Sequence, residues 1–201
     1  MTMTAQRPVS GHEAARRAMI DSQLRTSGVN EPWVLSAFAR VAREDFVPMA
    51  ARDAAYIDRA IALGDGKMLA APLVHGLMLS AAELVGEDRA LLVGDGEGYL
   101  AALLRPLVGT LDAVTPDQAK ALRKPATYTL IIIDGAIEQL PDALAASLAE
   151  GGRLVTGLVE RGVTRLALGR KTGDLVALAP LAEIGIPPLS ALAAPSRWSF
   201  Q

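Results

Sequence analysis

Ala90-Leu91-Leu92-Val93-Gly94-Asp95-Gly96-Glu97-Gly98-Tyr99 is the stretch on which the fold turns. Four apolar residues without a polar break run straight into a glycine-rich turn, the pattern of a strand buried on both faces. Glu97 to Leu107 then follows helical spacing. A strand handing over to a helix through glycines is where open α/β sheets hold ligands, outside the carboxyl ends of their strands. Glycine has no Cβ, so backbone can approach a ligand closely there. The alternative reading is structural, a turn whose glycines supply positive φ. Spacing separates the ligand classes: a dinucleotide fingerprint needs glycine at its first, third and sixth positions, and the sixth here is Tyr99. A nicotinamide oxidoreductase is disfavoured. Asp95 and Glu97 inside the turn would repel phosphates but tolerate a cationic sulfonium.

The flanks extend the alternation. Thr110 to Val114 reads as a strand, Pro116 to Arg123 as a short helix, and Tyr128 to Ile133 as a β-branched buried strand. Asp142 to Ala149 reads as a helix closed by Gly151-Gly152, with a strand from Arg153 to Leu158. This order predicts an α/β fold with a parallel sheet. Thr164 to Leu168 and Leu175 to Leu178 flank Lys171-Thr172-Gly173-Asp174, which predicts a tight hairpin. Upstream, the periodicity predicts helices over Glu13 to Ser27, stopped by Gly28, and over Trp33 to Val41, capped by Asn30 with Pro32 in its first turn. Pro72 to Val85 is a third helix with Gly86 as its stop. Between them, Glu44 to Lys67 is broken by Pro48, Gly64, Asp65 and Gly66 and predicts an irregular connector.

Composition removes whole classes of function. The 201 residues contain no cysteine, which excludes disulfides, thiolate metal sites and cysteine nucleophiles. Lys and Arg number 20 against 22 Asp and Glu, and the eight aromatics offer few stacking platforms, so nucleic acid is not expected as a partner. A chain 51% hydrophobic can bury roughly 70% of its unfolded surface in one core. One domain is expected over 11–201, with 11–71 as a helical and loop extension, 72–201 as the Rossmann-like core, and 1–10 as a disordered tail. An export signal is not expected, since the first residues hold no apolar run. The longest apolar stretch, Ala70 to Val85, is broken by His75 and Glu83, so a cytoplasmic protein without a membrane span is expected.

Taken with its flanks, the glycine turn resembles the protein-L-isoaspartate O-methyltransferase family of S-adenosylmethionine-dependent enzymes. Met19 to Arg25 is similar to that family's amino-terminal helix, and Val41 to Pro48 to its "V-P-R-E-x-F-V-P" segment. Ala55-Tyr56-Ile57-Asp58 matches "A-Y-x-D". Gly64 to Pro72 stands in the place of the "G-x-G-Q-T-I-S-Q-P" substrate loop, Leu91 to Tyr99 in that of the "L-E-I-G-T-G-S-G-Y" cofactor turn, and Ile137 to Leu154 is similar to a later helix and strand. The resemblance implies a Rossmann-like methyltransferase fold and S-adenosylmethionine as cofactor. It also implies isoaspartyl-containing proteins as substrates, repaired when the methyl ester collapses to a succinimide that hydrolyses partly to aspartate. It places Gly94, Asp95, Gly96, Gly98, Tyr99, Thr115 and Asp134 at the cofactor.

The departures from the family pattern fall on polar positions. Met68, Ala70 and Ala71 replace a threonine, a serine and a glutamine of the substrate loop; with the family serine position occupied by Ala70, no catalytic side chain is assigned. Leu92 replaces the acid of the turn, and the acid expected at the ribose falls on Thr115. Losing one charged hydrogen-bond partner costs roughly 1.5–3 kcal/mol, about ten- to a hundredfold in affinity. Thr115 to Thr127 is too short for the family's helix, third strand and second helix. At about 3.3 Å per strand residue and 1.5 Å per helical residue it holds one short helix, so the sheet is expected to be truncated at that edge. These losses predict weakened cofactor binding and weak or lost activity, or an inactive methyltransferase-fold protein serving as a binding module. The second-strand edge left free is where a homodimer contact is expected.

Single residues carry more modest expectations. Asp134, at the end of its strand, is read as satisfying nearby backbone N–H groups rather than holding a metal. His75 is read as a structural histidine without a carboxylate partner, His12 as exposed, and Arg16-Arg17 and Arg123-Lys124 as solvated helix faces. Trp198-Ser199-Phe200 is read as an apolar end that docks on the core or on a second subunit.

Overall fold

The computed structural model describes residues 11–194, so the expectations for the 1–10 tail and for Trp198-Ser199-Phe200 lie outside the described residues. Six strands form the main sheet: β3 (Arg89–Val93), β4 (Thr110–Val114), β5 (Tyr128–Ile137), β6 (Leu148–Glu160), β7 (Val163–Thr172) and β8 (Leu175–Glu183), in the order β4-β3-β5-β6-β7-β8. The first four are parallel, as the α/β alternation predicts. β7 pairs with β6 and with β8 in antiparallel fashion, so the sheet is mixed; the β7–β8 pair is the predicted hairpin, and the antiparallel join to β6 is what the sequence did not show. No helix separates β6 from β7; Arg161 and Gly162, both at positive φ (52° and 80°), make a two-residue reversal that only an antiparallel return can use. The predicted hairpin between β7 and β8 is present, with Gly173 at φ 58°.

Alternation along the central strands sends side chains to two faces. Leu92, Leu130 and Ile132 pack on one face with Met19, Phe38, Val74 and Met78, so the amino-terminal segments share a core with the sheet. Leu91, Val93, Ile131 and Ile133 pack on the other with Leu144 and Leu154. β3 and β5 are therefore apolar in both registers, which is why they read as unbroken hydrophobic runs. Helices α3 (Pro72–Ala82), α4 (Tyr99–Leu104), α5 (Pro116–Ala119) and α6 (Asp142–Ser147) join the strands. Among the described residues no strand lies beyond β4, and 115–127 contains only the four-residue α5 and turns, as the length of that interval requires. No helix among them is long and apolar enough to cross a membrane.

Upstream, α1 (Gly11–Met19) continues as a π-helical turn, Ile20–Leu24, and a 3-10 turn, Arg25–Ser27, before Gly28 stops it at φ 95°. One predicted helix thus changes pitch twice. Ser22 Oγ donates to the Ala18 carbonyl at 2.5 Å and Thr26 Oγ1 to the Ser22 carbonyl at 2.8 Å, side-chain competition that loosens the regular ladder. α2 (Pro32–Arg40) has Pro32 in its first turn as expected, but its cap residue is Glu31 and no side chain caps it. The Glu31 carboxylate instead accepts from Ser80 Oγ at 2.7 Å, tying α2 to α3.

The connector is less irregular than its proline and glycine content suggests. It holds 3-10 turns at Arg43–Phe46 and Met49–Ala54, then an antiparallel hairpin of β1 (Ile61–Gly64) and β2 (Lys67–Leu69). Strands of four and three residues are too short to show a period of two. The hairpin tip, Gly64-Asp65-Gly66, has three consecutive positive φ values, 98°, 50° and 72°.

Candidate active site

The carboxyl ends of β3, β4 and β5 open onto a cavity of about 980 Å³, within the size range of small-molecule sites. Its floor is the turn Gly94 to Gly98; one wall is the β1–β2 hairpin from Asp65 to Leu69, another the segment Pro187 to Ala191. Gly94, Asp95, Gly96, Gly98, Tyr99, Thr115 and Asp134, which the sequence singles out from scattered positions, all line it. Their convergence follows from strand order: β4, β3 and β5 are adjacent, so residues just past their ends lie side by side.

The turn's glycines are there for space. None of Gly94, Gly96 and Gly98 has positive φ, which overturns the purely conformational reading. A Cβ on Gly96 would lie 2.9 Å from the Ala113 Cβ, one on Gly94 3.1 Å from the Asp134 Cβ, and one on Gly98 3.0 Å from the Asp95 Cβ. Asp95 holds the turn's shape, its Oδ1 accepting from the Glu97 backbone N–H at 3.0 Å and its carbonyl from Gly98 N–H at 3.1 Å. Arg105 clamps the far side by donating to the Gly96 carbonyl at 2.7 Å. Tyr99 stands behind the turn, 1% exposed, its ring edge-on to Phe38 and Phe46. It supports the floor rather than presenting its ring to a ligand.

Thr115 faces the cavity but is already engaged: its hydroxyl oxygen accepts from Gln118 N–H at 3.3 Å while Gln118 Oε1 accepts from Thr115 N–H at 2.9 Å, a capping box for α5. Leu92 is fully buried in the core and does not reach the cavity. Of the three substituted loop residues, Met68 lines the cavity and is 44% exposed, whereas Ala70 and Ala71 are buried beneath it.

Asp134 departs from the expectation for it. Its Oδ1 pairs with His75 Nε2 at 2.9 Å, where backbone N–H partners were expected, and His75, fully buried on α3, thereby has the carboxylate partner its own helix lacks. Among the described residues no group of three ligating side chains forms around it. Segments 59 residues apart supply the pair, so no local pattern could announce it. Beside it, Pro187 to Leu189 adds to the end of β5: Ala136 N–H donates to the Pro187 carbonyl and Leu189 N–H to the Ala136 carbonyl, each at 2.8 Å. Gly135, at φ 153°, makes room, since a Cβ there would sit 2.5 Å from Leu189 Cγ.

Arg43 is the feature the sequence reading left unassigned. It is fully buried, with Nε donating to the Ala55 carbonyl at 2.7 Å and Nη2 to the Ala70 carbonyl at 2.6 Å. The guanidinium lies 5.0 Å from the centre of the Tyr99 ring, and Nη1 has no hydrogen-bond partner. Burial pulls its pKa down to about 10, against the pull of Tyr99 and Asp134, so it stays charged at neutral pH. One side chain thus ties the backbone just after the β1–β2 hairpin to the residue that stands behind the glycine turn.

Arg16 also corrects the solvated-face expectation: 15% exposed, it donates to the Tyr56 hydroxyl at 2.8 Å and to Glu44 Oε1 at 3.2 Å, while Arg17 stays exposed beside Glu13. Lys124 is half-exposed and pairs with Asp112 at 2.7 Å; His12 is partly exposed near Glu44 and Asp53. Burial raises the Glu44 pKa, but hydrogen bonds from the Tyr56 hydroxyl and its own backbone, with the Arg16 charge, outweigh it and hold the carboxyl below its ordinary value. A carboxyl depressed in the folded state stabilises above its unfolded pKa, and that contribution disappears as pH falls through the folded value. Glu44→Gln is therefore expected to lower stability by about 2 kcal/mol at pH 7, with the gap closing below about pH 4. Thermal unfolding of both proteins across that range checks it; a gap independent of pH would contradict the assignment.

The arrangement defines a methyltransferase-type α/β site: a glycine turn at the end of a central parallel strand, facing a loop that could present an acceptor. A model of the family described as protein-L-isoaspartate(D-aspartate) O-methyltransferase matches residues 14–126. A protein-L-isoaspartate O-methyltransferase of Roseiflexus castenholzii is 32% identical over 199 residues, covering 87% of this chain and 91% of its own. One from Koribacter versatilis is 29% identical over 212 residues, covering 93% and 96%. The chain belongs to the protein-L-isoaspartate(D-aspartate) O-methyltransferase family. Among solved structures, a Plasmodium falciparum protein described as a protein-L-isoaspartate O-methyltransferase in complex with S-adenosyl-L-homocysteine superposes with a TM-score of 0.67 at 18% identity, covering 90% of this chain and 99% of that one, and so shows the same fold.

Proposed function

We propose that the protein transfers a methyl group from S-adenosylmethionine to isoaspartyl carboxylates of damaged proteins, at a rate well below that of relatives with a polar acceptor loop. The observation that carries this reading is the meeting of the glycine turn and the β1–β2 hairpin across one cavity. The residues fit the cofactor: Gly94, Gly96 and Gly98 line the cavity with backbone alone, and six acidic side chains against one lysine, Lys67, favour a cationic ligand. When bound, the cofactor supplies an activated methyl group on a sulfonium. The acceptor carboxylate is already ionised, so the protein needs no base; its residues have to align the two groups and exclude water.

Alignment is where this site is weak. Met68, Ala70 and Ala71 offer the acceptor no side-chain hydrogen bond, and the acidic lining opposes an anion. The same replacements favour the second reading, a methyltransferase-fold protein that binds a partner without turning it over. Methyl transfer to an isoaspartyl peptide, with the aspartyl peptide as control and base-labile product as the readout, separates the two. Slow transfer is expected, raised about tenfold or more by Met68→Thr, the one substituted loop position that lines the cavity. No transfer by either protein, under conditions where the nucleoside binds, would leave the binding module as the function.

A further inference from the structure

We infer that Asp134, held in place by His75, is the group that grips the ammonium end of the methyl donor, taking over electrostatic work that Leu92 and Thr115 cannot do. The inference rests on the cofactor reading above. Three observations lead to it.

The first is the pair itself. Asp134 is 19% exposed on its side chain and lines the cavity, while His75 behind it is fully buried; Oδ1 is bonded to His75, and no partner is seen for Oδ2 among the described residues. The imidazole's other nitrogen, Nδ1, is buried without a hydrogen-bond partner, so the Asp134 carboxylate is the ring's one polar contact among the described residues. The contact with the buried imidazole fixes the carboxylate's position at the cavity wall.

The second is position. In the sheet, β4 and β5 flank β3 on opposite sides, so Thr115 and Asp134 stand at opposite ends of the glycine turn. A nucleoside amino acid laid along the turn with its ribose toward Thr115 has its amino acid end at Asp134.

The third is what is absent at the other end. The Thr115 hydroxyl is engaged in the α5 cap, and Leu92 is buried, so neither holds a ligand with charge. The turn packs closely against Asp134, whose Cβ would lie 3.1 Å from a Cβ placed on Gly94. Charge-assisted hydrogen bonds are roughly twice as strong as neutral ones, so a fixed carboxylate there is a large part of the hold.

Three probes dissect this by titration calorimetry. S-adenosylmethionine carries ammonium and sulfonium, S-adenosylhomocysteine only the ammonium, and 5′-methylthioadenosine neither. Asp134→Asn is expected to weaken the first two by tenfold or more and leave the third unchanged. His75→Leu is expected to lose the same selectivity more mildly, about three- to tenfold, with His75→Gln recovering part of it by keeping a donor; a merely structural role would weaken all three ligands together. Loss confined to S-adenosylmethionine would move the contact to the sulfonium and overturn the inference, as would equal loss, or no loss, for all three. If the unaltered protein binds none of the three, the cofactor reading itself fails and this inference with it.

Discussion

Arg43→Ala is expected to destabilise the protein by about 3–5 kcal/mol, on the order of 10 °C in melting temperature for a chain of this size. The guanidinium is fully buried, and its removal strips the Ala55 and Ala70 carbonyls of donors at 2.7 and 2.6 Å. Each buried carbonyl left unpaired costs roughly 1–3 kcal/mol, and the lost cation–π contact with Tyr99 adds about 1–2 kcal/mol. Two features oppose this: the charge is expensive to bury, as its lowered pKa shows, and Nη1 is unpaired. The carbonyls decide the balance, because apolar replacement does not satisfy them. Arg43→Lys, able to reach one carbonyl, should lose about half as much. Thermal and urea unfolding measure both; a loss under about 1 kcal/mol for Arg43→Ala would mean the carbonyls find water instead. The damage should extend to the cavity, since the arginine holds the Ala70 backbone next to the β1–β2 hairpin and packs over Tyr99.

Gly96→Val is expected to weaken nucleoside binding at least a hundredfold and to abolish methyl transfer. Even a single Cβ would stand 2.9 Å from that of Ala113, a distance that folded proteins do not tolerate, and valine's methyls extend the collision. Ala113 lies in β4, whose backbone is fixed by its parallel pairing with β3, so the turn must give way. Overpacking of this kind costs about 1–3 kcal/mol, enough to displace the floor while leaving the rest folded. Far-ultraviolet circular dichroism and melting establish folding, and calorimetry with S-adenosylhomocysteine reads binding. The cause is isolated by pairing the milder Gly96→Ala with Ala113→Gly, which removes the colliding methyl and should recover most of the affinity. Unchanged binding by Gly96→Val would show that the ligand does not use this floor.

Arg43 tests the packing that holds the cavity together, whereas Gly96 tests the surface the ligand meets. Only the second should separate binding from stability.

How far the site was legible depends on whether its parts are local. The glycine turn could be read because strand, turn and helix are consecutive, and side-chain absence is visible in a one-letter code. The missing outer strand could also be read, because chain length sets what 115–127 can span. The hairpin of β1 and β2 escaped because its strands are shorter than any pattern, and the antiparallel join of β7 to β6 because its two-residue reversal at Arg161-Gly162 carries no strong local signal, whereas the β7–β8 hairpin was read. Arg16 and Arg43 illustrate the harder case. Both look like ordinary charged residues in polar neighbourhoods, yet Arg16 meets Tyr56 and Glu44 from residues 40 and 28 positions away.

From sequence alone came the α/β alternation, the glycine floor, the family and the apolar residues at 68, 70 and 71, since each depends on residue type at short spacing. Tertiary structure alone decided that the glycines serve clearance instead of positive φ, that Arg43 bridges loop and turn, and that His75 stands behind Asp134. Those facts depend on which strands lie side by side, and burial gives a side chain partners that its sequence neighbours do not reveal.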